Sequence, residues 1–383
     1  MEFSLSWLLV GLPAVFAMGW LASRLDARQF RLEQRSAPKA YFKGLNHLLN
    51  EQQDQAIDAF IEAVQRDPDT SELHFALGNL FRRRGDYDRA VRVHEHLLSR
   101  GDLSEADRHR AQYALALDYL KAGLLDRAED ALRRLEGTPY APQARLALLG
   151  NFERSRDWVL ADTVAQQLQE SGQGDFSTRR AHYLCEQANA ALAQDNAAAA
   201  LQWLAQAIAL APHSARARLM RAQWLQRQGQ PQEAMQDILQ ALRDAPQHTP
   251  LLAGPLAALA LACNAQDAVI PALQTSYAQS PSLDVLEALV RLQAGKACAQ
   301  ARALYLNHLE RQPSLVAAGR WLTQTEPDAA PLPAPVQRAL SQATRALLRY
   351  RCAACGFEAA QHFWQCPGCQ TWDSYPAQRV EEL

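Results

Sequence analysis

Four cysteines near the carboxyl end of the chain stand in two closely spaced pairs. Cys352 and Cys355 form the first Cys-x-x-Cys pair, and Cys366 and Cys369 form the second. Each pair turns tightly enough to aim two thiolates at one ion, and two such pairs at short separation indicate a metal site. Four thiolates suit tetrahedral iron or zinc, and Gly356 supplies a residue that tolerates positive φ after the first pair. The spacing therefore predicts one metal ion held by four cysteines.

Aromatic residues are unusually dense around the cysteine pairs: Phe357, Phe363, Trp364, Trp372 and Tyr375. A segment of about 30 residues cannot fold on apolar burial alone, so we expect these rings to form a miniature core around the metal. A single redox Cys-x-x-Cys motif does not explain two copies, and disulfides are disfavoured in a reducing compartment. We predict a metal-binding domain over residues 351–376, followed by a tail over 377–383.

The residues before the cysteines indicate a linker and one helix. Residues 326–335 are rich in proline, which is typical of a linker. From residue 336 to residue 350, apolar side chains recur with helical spacing and predict an amphipathic helix.

The body of the chain, residues 38–325, contains a helical repeat. Gly44 is followed by Gly78 at a distance of 34 residues. Four further positions recur with the same spacing. The first set is Ala200, Leu204, Ala207 and Pro212, and the second set, 34 residues later, is Ala234, Ile238, Ala241 and Pro246. Small residues let paired helices approach closely, and proline stops the second helix. This is the tetratricopeptide period, so we predict about eight hairpins in an all-α superhelical solenoid, and an ordinary alanine-rich bundle is the disfavoured alternative.

A solenoid of this kind offers a groove for peptides or other proteins, lined by the first helix of each unit. By the usual numbering of a tetratricopeptide unit, the groove positions are Asn79, Arg82, Arg83, Arg110, Lys121, Arg216, Gln223 and Arg227. Their arginines suit an acidic peptide or a chain-terminal carboxylate, and the alternative for each is a solvated helix face. Residues 38–325 contain no phosphate-binding glycine loop and no catalytic motif, so the sequence predicts no enzyme.

The first residues predict a single transmembrane anchor over 1–23. Residues 3–23 carry no charge, and as a helix they would span roughly 30 Å, the thickness of the hydrocarbon layer. A signal peptide is disfavoured because the segment lacks a positive start and a cleavage site. Residues 24–37 form a basic juxtamembrane segment, so the positive-inside rule predicts that the repeats and the metal domain are cytoplasmic.

The order of the parts resembles the lipopolysaccharide assembly protein B family of Gram-negative bacteria along the whole chain. An anchor comes first, the tetratricopeptide units follow, and the cysteine pairs come last. The most specific similarity lies in residues 350–357, YRCAACGF, and in residues 364–372. The tail is also similar to the knuckles of rubredoxin, although the gap between the pairs is much shorter and Gln370 replaces a glycine. The family's metal ligands match Cys352, Cys355, Cys366 and Cys369 one by one. The resemblance implies a rubredoxin-like or zinc-ribbon-like domain with one iron ion, zinc being the alternative.

The resemblance further implies a non-enzymatic adaptor of the cell inner membrane. Members of the family limit lipopolysaccharide synthesis by promoting degradation of the deacetylase that commits to lipid A, carried out by a membrane-bound AAA zinc protease. A multi-pass inner-membrane sensor protein restrains them. The alternative function is an electron-transfer component that uses the knuckles as an iron centre. A nucleic-acid partner is disfavoured, because 39 lysines and arginines are balanced by 41 acidic residues.

Overall fold

The computed structural model describes residues 42–293, 298–324 and 332–383, together with Phe16, Met18 and Trp20. The predicted juxtamembrane segment, most of the predicted anchor and most of the predicted linker lie outside these residues. Among the residues that the structure describes, no helix combines the length and the apolar character needed to cross a membrane. The chain divides into two units, Met1–Asp157 and Trp158–Leu383.

From residue 42 onward, the first unit consists of successive helices joined by short turns. They are α1 (42–49), α2 (Gln53–Arg66), α3 (Ser71–Arg84), α4 (Tyr87–Ser99), α5 (Glu105–Ala122), α6 (Leu125–Arg133) and α7 (Ala141–Ser155). Neighbouring helices pack against each other, and α3 also packs on α5 and α5 on α7. Contact between alternate helices places the first helix of one hairpin against the first helix of the next, as in a tetratricopeptide array.

Two glycines in the first unit lie at close helix crossings, as the repeat pattern predicts. A Cβ atom added to Gly44 would lie 2.8 Å from the ring of Phe60, and one added to Gly78 would lie 2.5 Å from the imidazole of His94. Both separations are too short for real carbon contacts, so the facing helix occupies the space that a side chain would need.

The second unit continues the same arrangement. Its helices are α8 (Trp158–Glu170), α9 (Ser177–Ala193), α10 (Ala197–Leu210), α11 (Ala215–Arg227), α12 (Pro231–Asp244), α13 (Thr249–Ala262), α14 (Gln266–Gln279), α15 (Leu283–Gln293), α16 (Cys298–Arg311), α17 (Leu315–Thr323) and α18 (Ala334–Thr344). Alternate helices α9, α11, α13 and α15 pack in series. The predicted all-helical repeat fold is therefore confirmed for the described residues.

The helix α18 differs from the helix predicted over residues 336–350. It begins at Ala334, with Pro335 in its first turn, and it ends at Thr344. Tyr350 instead opens strand β1 (Tyr350–Arg351), which pairs antiparallel with β2 (Glu358–Ala359). A helix cannot run through residue 350, because this strand pair brackets the first cysteine turn.

The carboxyl-terminal residues, predicted as a tail, are bound to the repeats of the second unit. The guanidinium of Arg379 donates two hydrogen bonds of 2.8 Å to the carboxylate of Asp284 in α15. Glu382 accepts a hydrogen bond of 2.6 Å from the backbone N–H of Leu283, which has no partner within the helix that it begins. These contacts attach the end of the chain to the first turn of α15.

Glu381 caps α17, the first helix of the next hairpin, in the same way. Its carboxylate accepts hydrogen bonds from the backbone N–H groups of Leu315 and Val316, at 2.6 and 3.1 Å, and from the hydroxyl of Ser314 at 2.7 Å. A negative charge at a helix N-terminus is stabilising because it opposes the helix dipole.

Replacing Glu381 with alanine is therefore expected to lower the free energy of unfolding by about 1 kcal/mol, as loss of an N-cap usually does. The measurement is the midpoint of urea unfolding of the purified chain in detergent. Glu310→Ala, an exposed glutamate near the end of α16, is the matched control and should change stability by less than about 0.5 kcal/mol. Equal effects of the two changes would contradict the capping role.

Candidate metal centre

The first cysteine pair lies in a tight turn between the two strands. The backbone N–H of Cys352 donates to the carbonyl of Phe357 at 2.9 Å, and the N–H of Gly356 donates back to the carbonyl of Cys352 at 2.9 Å. Gly356 has a φ of +76°, the left-handed conformation that the sequence predicted for this position. The turn brings both sulfur atoms of the pair to one side of the strand pair.

The second cysteine pair repeats this hydrogen-bond pattern. The N–H of Cys366 donates to the carbonyl of Thr371 at 2.9 Å, and the N–H of Gln370 donates to the carbonyl of Cys366 at 2.8 Å. Gln370 has a φ of +61° although it carries a side chain. The left-handed conformation costs about 1 to 2 kcal/mol for such a residue, so the second turn retains the geometry of the first without its glycine.

The four sulfur atoms meet in one cluster. All of them lie within 4.8 Å of one another, with 3.8 Å between the sulfurs of Cys352 and Cys369 and 3.7 Å between those of Cys355 and Cys366. A tetrahedral ion with metal–sulfur bonds of about 2.3 Å requires sulfur–sulfur separations of about 3.8 Å. A disulfide would require about 2.05 Å. The cluster therefore has the dimensions of a four-cysteine metal site, and thiolates of this geometry suit iron as well as zinc.

Neighbouring hydroxyl groups favour the thiolate forms that bind a metal. Burial alone would raise the pKa of Cys352, but hydrogen bonding to Ser374, whose hydroxyl lies 3.3 Å from the sulfur, and to backbone N–H groups lowers that pKa to about 6. Hydrogen bonding to the hydroxyl of Thr371, also 3.3 Å away, lowers the pKa of Cys369. Because a metal binds the thiolate rather than the thiol, these hydrogen bonds prepare both cysteines as ligands.

Residues 350–376, here called the knuckle, contain a smaller aromatic core than the sequence predicted. Tyr350 and Tyr375 are buried beside Cys352 and Cys366, with Phe363 packed against them. Phe357, by contrast, is 44% exposed. The knuckle core is thus built mainly from tyrosines and buried sulfur.

The two tryptophans of the knuckle contact the repeats instead of the metal core. Trp364 packs against the core formed by α11 to α15. Trp372 stacks on His182 of α9, with 4.8 Å between ring centroids and an interplanar angle of 12°. The carboxylate of Asp373 lies 2.9 Å from Nε2 of the same histidine. The sequence did not reveal these residues, because His182 and Asp373 are 191 positions apart and neither belongs to a motif.

Three of the predicted groove residues in the first unit are engaged in internal hydrogen bonds. Arg82 donates to the buried carboxylate of Asp118 at 2.8 Å and to the side-chain oxygen of Asn79. Arg110 pairs with Glu72, and its guanidinium lies 4.1 Å from the centroid of the Phe75 ring.

Among the groove residues predicted in the second unit, Arg216 is 6% exposed and pairs with Glu186. Its guanidinium also lies 5.7 Å from the ring of Trp372, so the knuckle covers this groove position. The remaining predicted groove residues of both units are exposed: Arg83, Lys121, Gln223 and Arg227.

The knuckle and the repeats each match a known protein family. Residues 350–375 match the rubredoxin metal binding domain, and residues 43–93, 78–144 and 185–249 match the tetratricopeptide repeat. A tetratricopeptide repeat protein of Parabacteroides merdae is similar in structure over 68% of this chain and 99% of its own, with a TM-score of 0.35 and 15% identity.

Full-length similarity is found to proteins named lipopolysaccharide assembly protein B. The protein of Haemophilus influenzae is 28% identical over 382 residues, covering 95% of this chain and 96% of its own. The protein of Escherichia coli strain K12 is 30% identical over 376 residues, covering 95% of each chain. With this identity along almost its whole length, the chain belongs to the lipopolysaccharide assembly protein B family.

Proposed function

We propose that this chain is a membrane-anchored adaptor that regulates lipopolysaccharide synthesis. In this proposal it promotes degradation of the deacetylase that commits to lipid A by a membrane AAA zinc protease, and a multi-pass inner-membrane sensor protein restrains it. The observation that carries the proposal is the similarity to lipopolysaccharide assembly protein B over 95% of both chains. A repeat scaffold suits the role, because stacked helical hairpins offer extended surfaces for other proteins and need no catalytic group.

Placement at the inner membrane is an essential part of the proposal. The uncharged residues 3–23 would anchor the chain, with the repeats and the knuckle on the cytoplasmic side. Residues 24–37 would span roughly 20 Å as a helix and at most about 50 Å if fully extended, so the repeats would stay near the membrane surface. A client bound there is presented to a membrane protease at a raised effective concentration without any additional contact.

The metal has a structural role in this proposal. Cys352, Cys355, Cys366 and Cys369 would hold one iron ion, or zinc as the alternative, with the sulfur geometry described above. The ion supplies the folding free energy that a domain of this size cannot obtain from its own core. The folded knuckle then covers part of the repeats through Trp364 and Trp372.

Deleting residues 1–23 tests the proposal. The shortened chain should remain folded and metal-loaded and should still bind the soluble deacetylase, but it should no longer shorten the deacetylase lifetime. The measurement is the half-life of the deacetylase after synthesis is stopped, in cells that express the variant at the native level. We expect a half-life close to that of cells lacking the protein.

An unrelated transmembrane helix in place of residues 1–23 is the matched control, and it should restore rapid turnover. Rapid turnover with the anchorless chain at native expression would contradict the membrane-placement mechanism. An unchanged deacetylase half-life in cells lacking the whole protein would contradict the proposed client.

The exposed groove residues allow a separate test of partner binding. Arg83→Glu and Arg227→Glu reverse exposed charges for which the structure shows no internal ion pair within the described residues. We expect weaker capture of the deacetylase or the protease with full metal content. Arg134→Glu is the control, because Arg134 is an exposed arginine at the end of α6, the second helix of a hairpin, and it should leave capture unchanged. If both groove variants capture these partners as well as the wild-type chain does, the two arginines belong to a solvated helix face and not to a binding groove.

A further inference from the structure

One surface of the second unit presents polar and aromatic groups that hydrogen-bond to and pack against the knuckle. We call Trp158, His182, Tyr183 and Arg216 the α9–α11 patch. His182 has no exposed surface, and its Nδ1 lies 3.3 Å from a guanidinium nitrogen of Arg216. Because arginine only donates, Nδ1 accepts, and Nε2 therefore carries the proton. The buried imidazole thus requires an acceptor outside the repeats.

Asp373 of the knuckle supplies this acceptor. Both of its carboxylate oxygens lie 2.9 Å from Nε2 of His182. A carboxylate accepts such a hydrogen bond more strongly than a neutral oxygen, and a buried imidazole N–H left without an acceptor is costly. The patch therefore selects for a negatively charged acceptor at this point.

Trp372, the residue before Asp373, fills the aromatic part of the patch. Its ring stacks on His182 at 4.8 Å and meets the edges of Trp158 and Tyr183 at 6.0 and 5.9 Å. The guanidinium of Arg216 lies 5.7 Å from the same ring. Offset and edge-to-face rings together with a cation favour a large aromatic side chain over an aliphatic one. The patch is thus complementary to an aromatic residue followed directly by a carboxylate.

The inserted dipeptide is held by residues that also contact the sulfur cluster. Thr371 and Ser374 flank it, and their hydroxyls lie 3.3 Å from the sulfurs of Cys369 and Cys352. The carbonyl of Thr371 accepts from the N–H of Cys366. The conformation that presents Trp372 and Asp373 therefore depends on an ordered cysteine cluster, which metal binding stabilises.

We propose that the α9–α11 patch is a recognition site for partner segments in which a large aromatic residue is followed directly by an acidic residue. The knuckle occupies this site in the metal-loaded chain, so a partner gains access when the knuckle leaves. The inference goes beyond the adaptor function, because it concerns the binding chemistry of the repeats and does not depend on which client is degraded.

The test uses a fluorescent peptide with the sequence of residues 370–376, QTWDSYP, and the full chain in detergent under reducing conditions. Cys366→Ser releases the metal and the folded knuckle, and adding Trp372→Ala and Asp373→Ala removes the internal segment that would compete with the peptide. Rapid cleavage within residues 350–376 and unchanged helical circular dichroism verify that this emptied variant has lost the knuckle and kept its repeats. Fluorescence anisotropy should show at least about tenfold tighter peptide binding to this variant than to the metal-loaded wild type, as expected for an aromatic anchor. Removing the metal from the wild type with a chelator should also permit binding.

Two matched changes identify the site on the repeats. Adding Arg216→Met to the emptied variant should abolish peptide binding, whereas adding Arg218→Met should not, because Arg218 pairs with Asp244 outside the patch. A peptide with alanine in place of its tryptophan and aspartate should not bind. The proposal is overturned by failure of the peptide to bind the emptied variant, by equal binding to the metal-loaded wild type, or by binding that survives Arg216→Met.

Discussion

Cys366→Ser is expected to release the metal and unfold the knuckle while the repeats of both units remain helical. The sulfur of Cys366 is buried in the knuckle core, and the serine hydroxyl at pH 7 is neutral and a poor ligand for a soft site. Structural four-ligand sites contribute about 10 to 16 kcal/mol of apparent binding free energy, which far exceeds what so small a core supplies. The measurements are metal content per chain and the rate of proteolytic cleavage within residues 350–376.

Cys263→Ser is the matched control, because Cys263 lies just after α13 and outside the sulfur cluster. It should retain one metal ion per chain and wild-type resistance to protease. Full metal occupancy in the Cys366→Ser chain would remove Cys366 from the ligand set. Loss of metal without faster cleavage would mean that the contacts to the repeats, not the ion, keep the knuckle folded.

The helical repeat is the part of the fold that the sequence predicted best. Its signal is local, because small residues such as Gly44 and Gly78 must recur wherever the same two helices cross. The cysteine cluster was predictable for a similar reason: Cys-x-x-Cys spacing and Gly356 determine the turn with little help from the rest of the chain. Local patterns of this kind are readable because they need no knowledge of distant residues.

The attachment of the knuckle to the repeats was not predictable. From sequence Trp372 is predicted to lie in the knuckle core, because an aromatic residue near cysteines gives no sign of the direction it faces. The contact between His182 and Asp373 joins positions 191 residues apart, and no periodicity connects them. From sequence the carboxyl-terminal glutamates are predicted only as part of a tail, since their role as caps depends on helix N-termini that belong to other repeats.

Asp118 occupies the centre of a buried ionic network in the first unit that the repeat pattern also did not reveal. Its carboxylate has no exposed surface and lies 2.8 Å from Nη1 of Arg82 in α3 and 2.5 Å from Nδ1 of His94 in α4. Asp118 itself belongs to α5, the first helix of the next hairpin. The network therefore joins two successive hairpins through charged groups rather than through apolar packing alone.

Replacing Asp118 with alanine is expected to destabilise the first unit by about 3 to 5 kcal/mol, because it leaves the guanidinium of Arg82 and the imidazole of His94 largely buried without their acceptor. The measurement is the free energy of urea unfolding of the full chain in detergent, followed by circular dichroism. A loss of this size is a large part of the stability of an ordinary domain. Asp58→Ala, an exposed aspartate inside α2, is the control and should change stability by less than about 0.5 kcal/mol.

A second substitution separates the unpaired charge from the lost hydrogen bonds. Adding Arg82→Met to Asp118→Ala removes the uncompensated guanidinium, so the double variant should be more stable than Asp118→Ala alone. Arg82 was predicted to line the partner groove, yet its side chain is engaged by Asp118 and Asn79. If the loss of stability in the double variant equals the sum of the losses caused by Asp118→Ala and Arg82→Met alone, the two side chains are not coupled. If it does not equal that sum, a partner-binding defect caused by changing Arg82 reflects the fold of the hairpins. The neighbouring exposed Arg83 is then the position that reports on the groove.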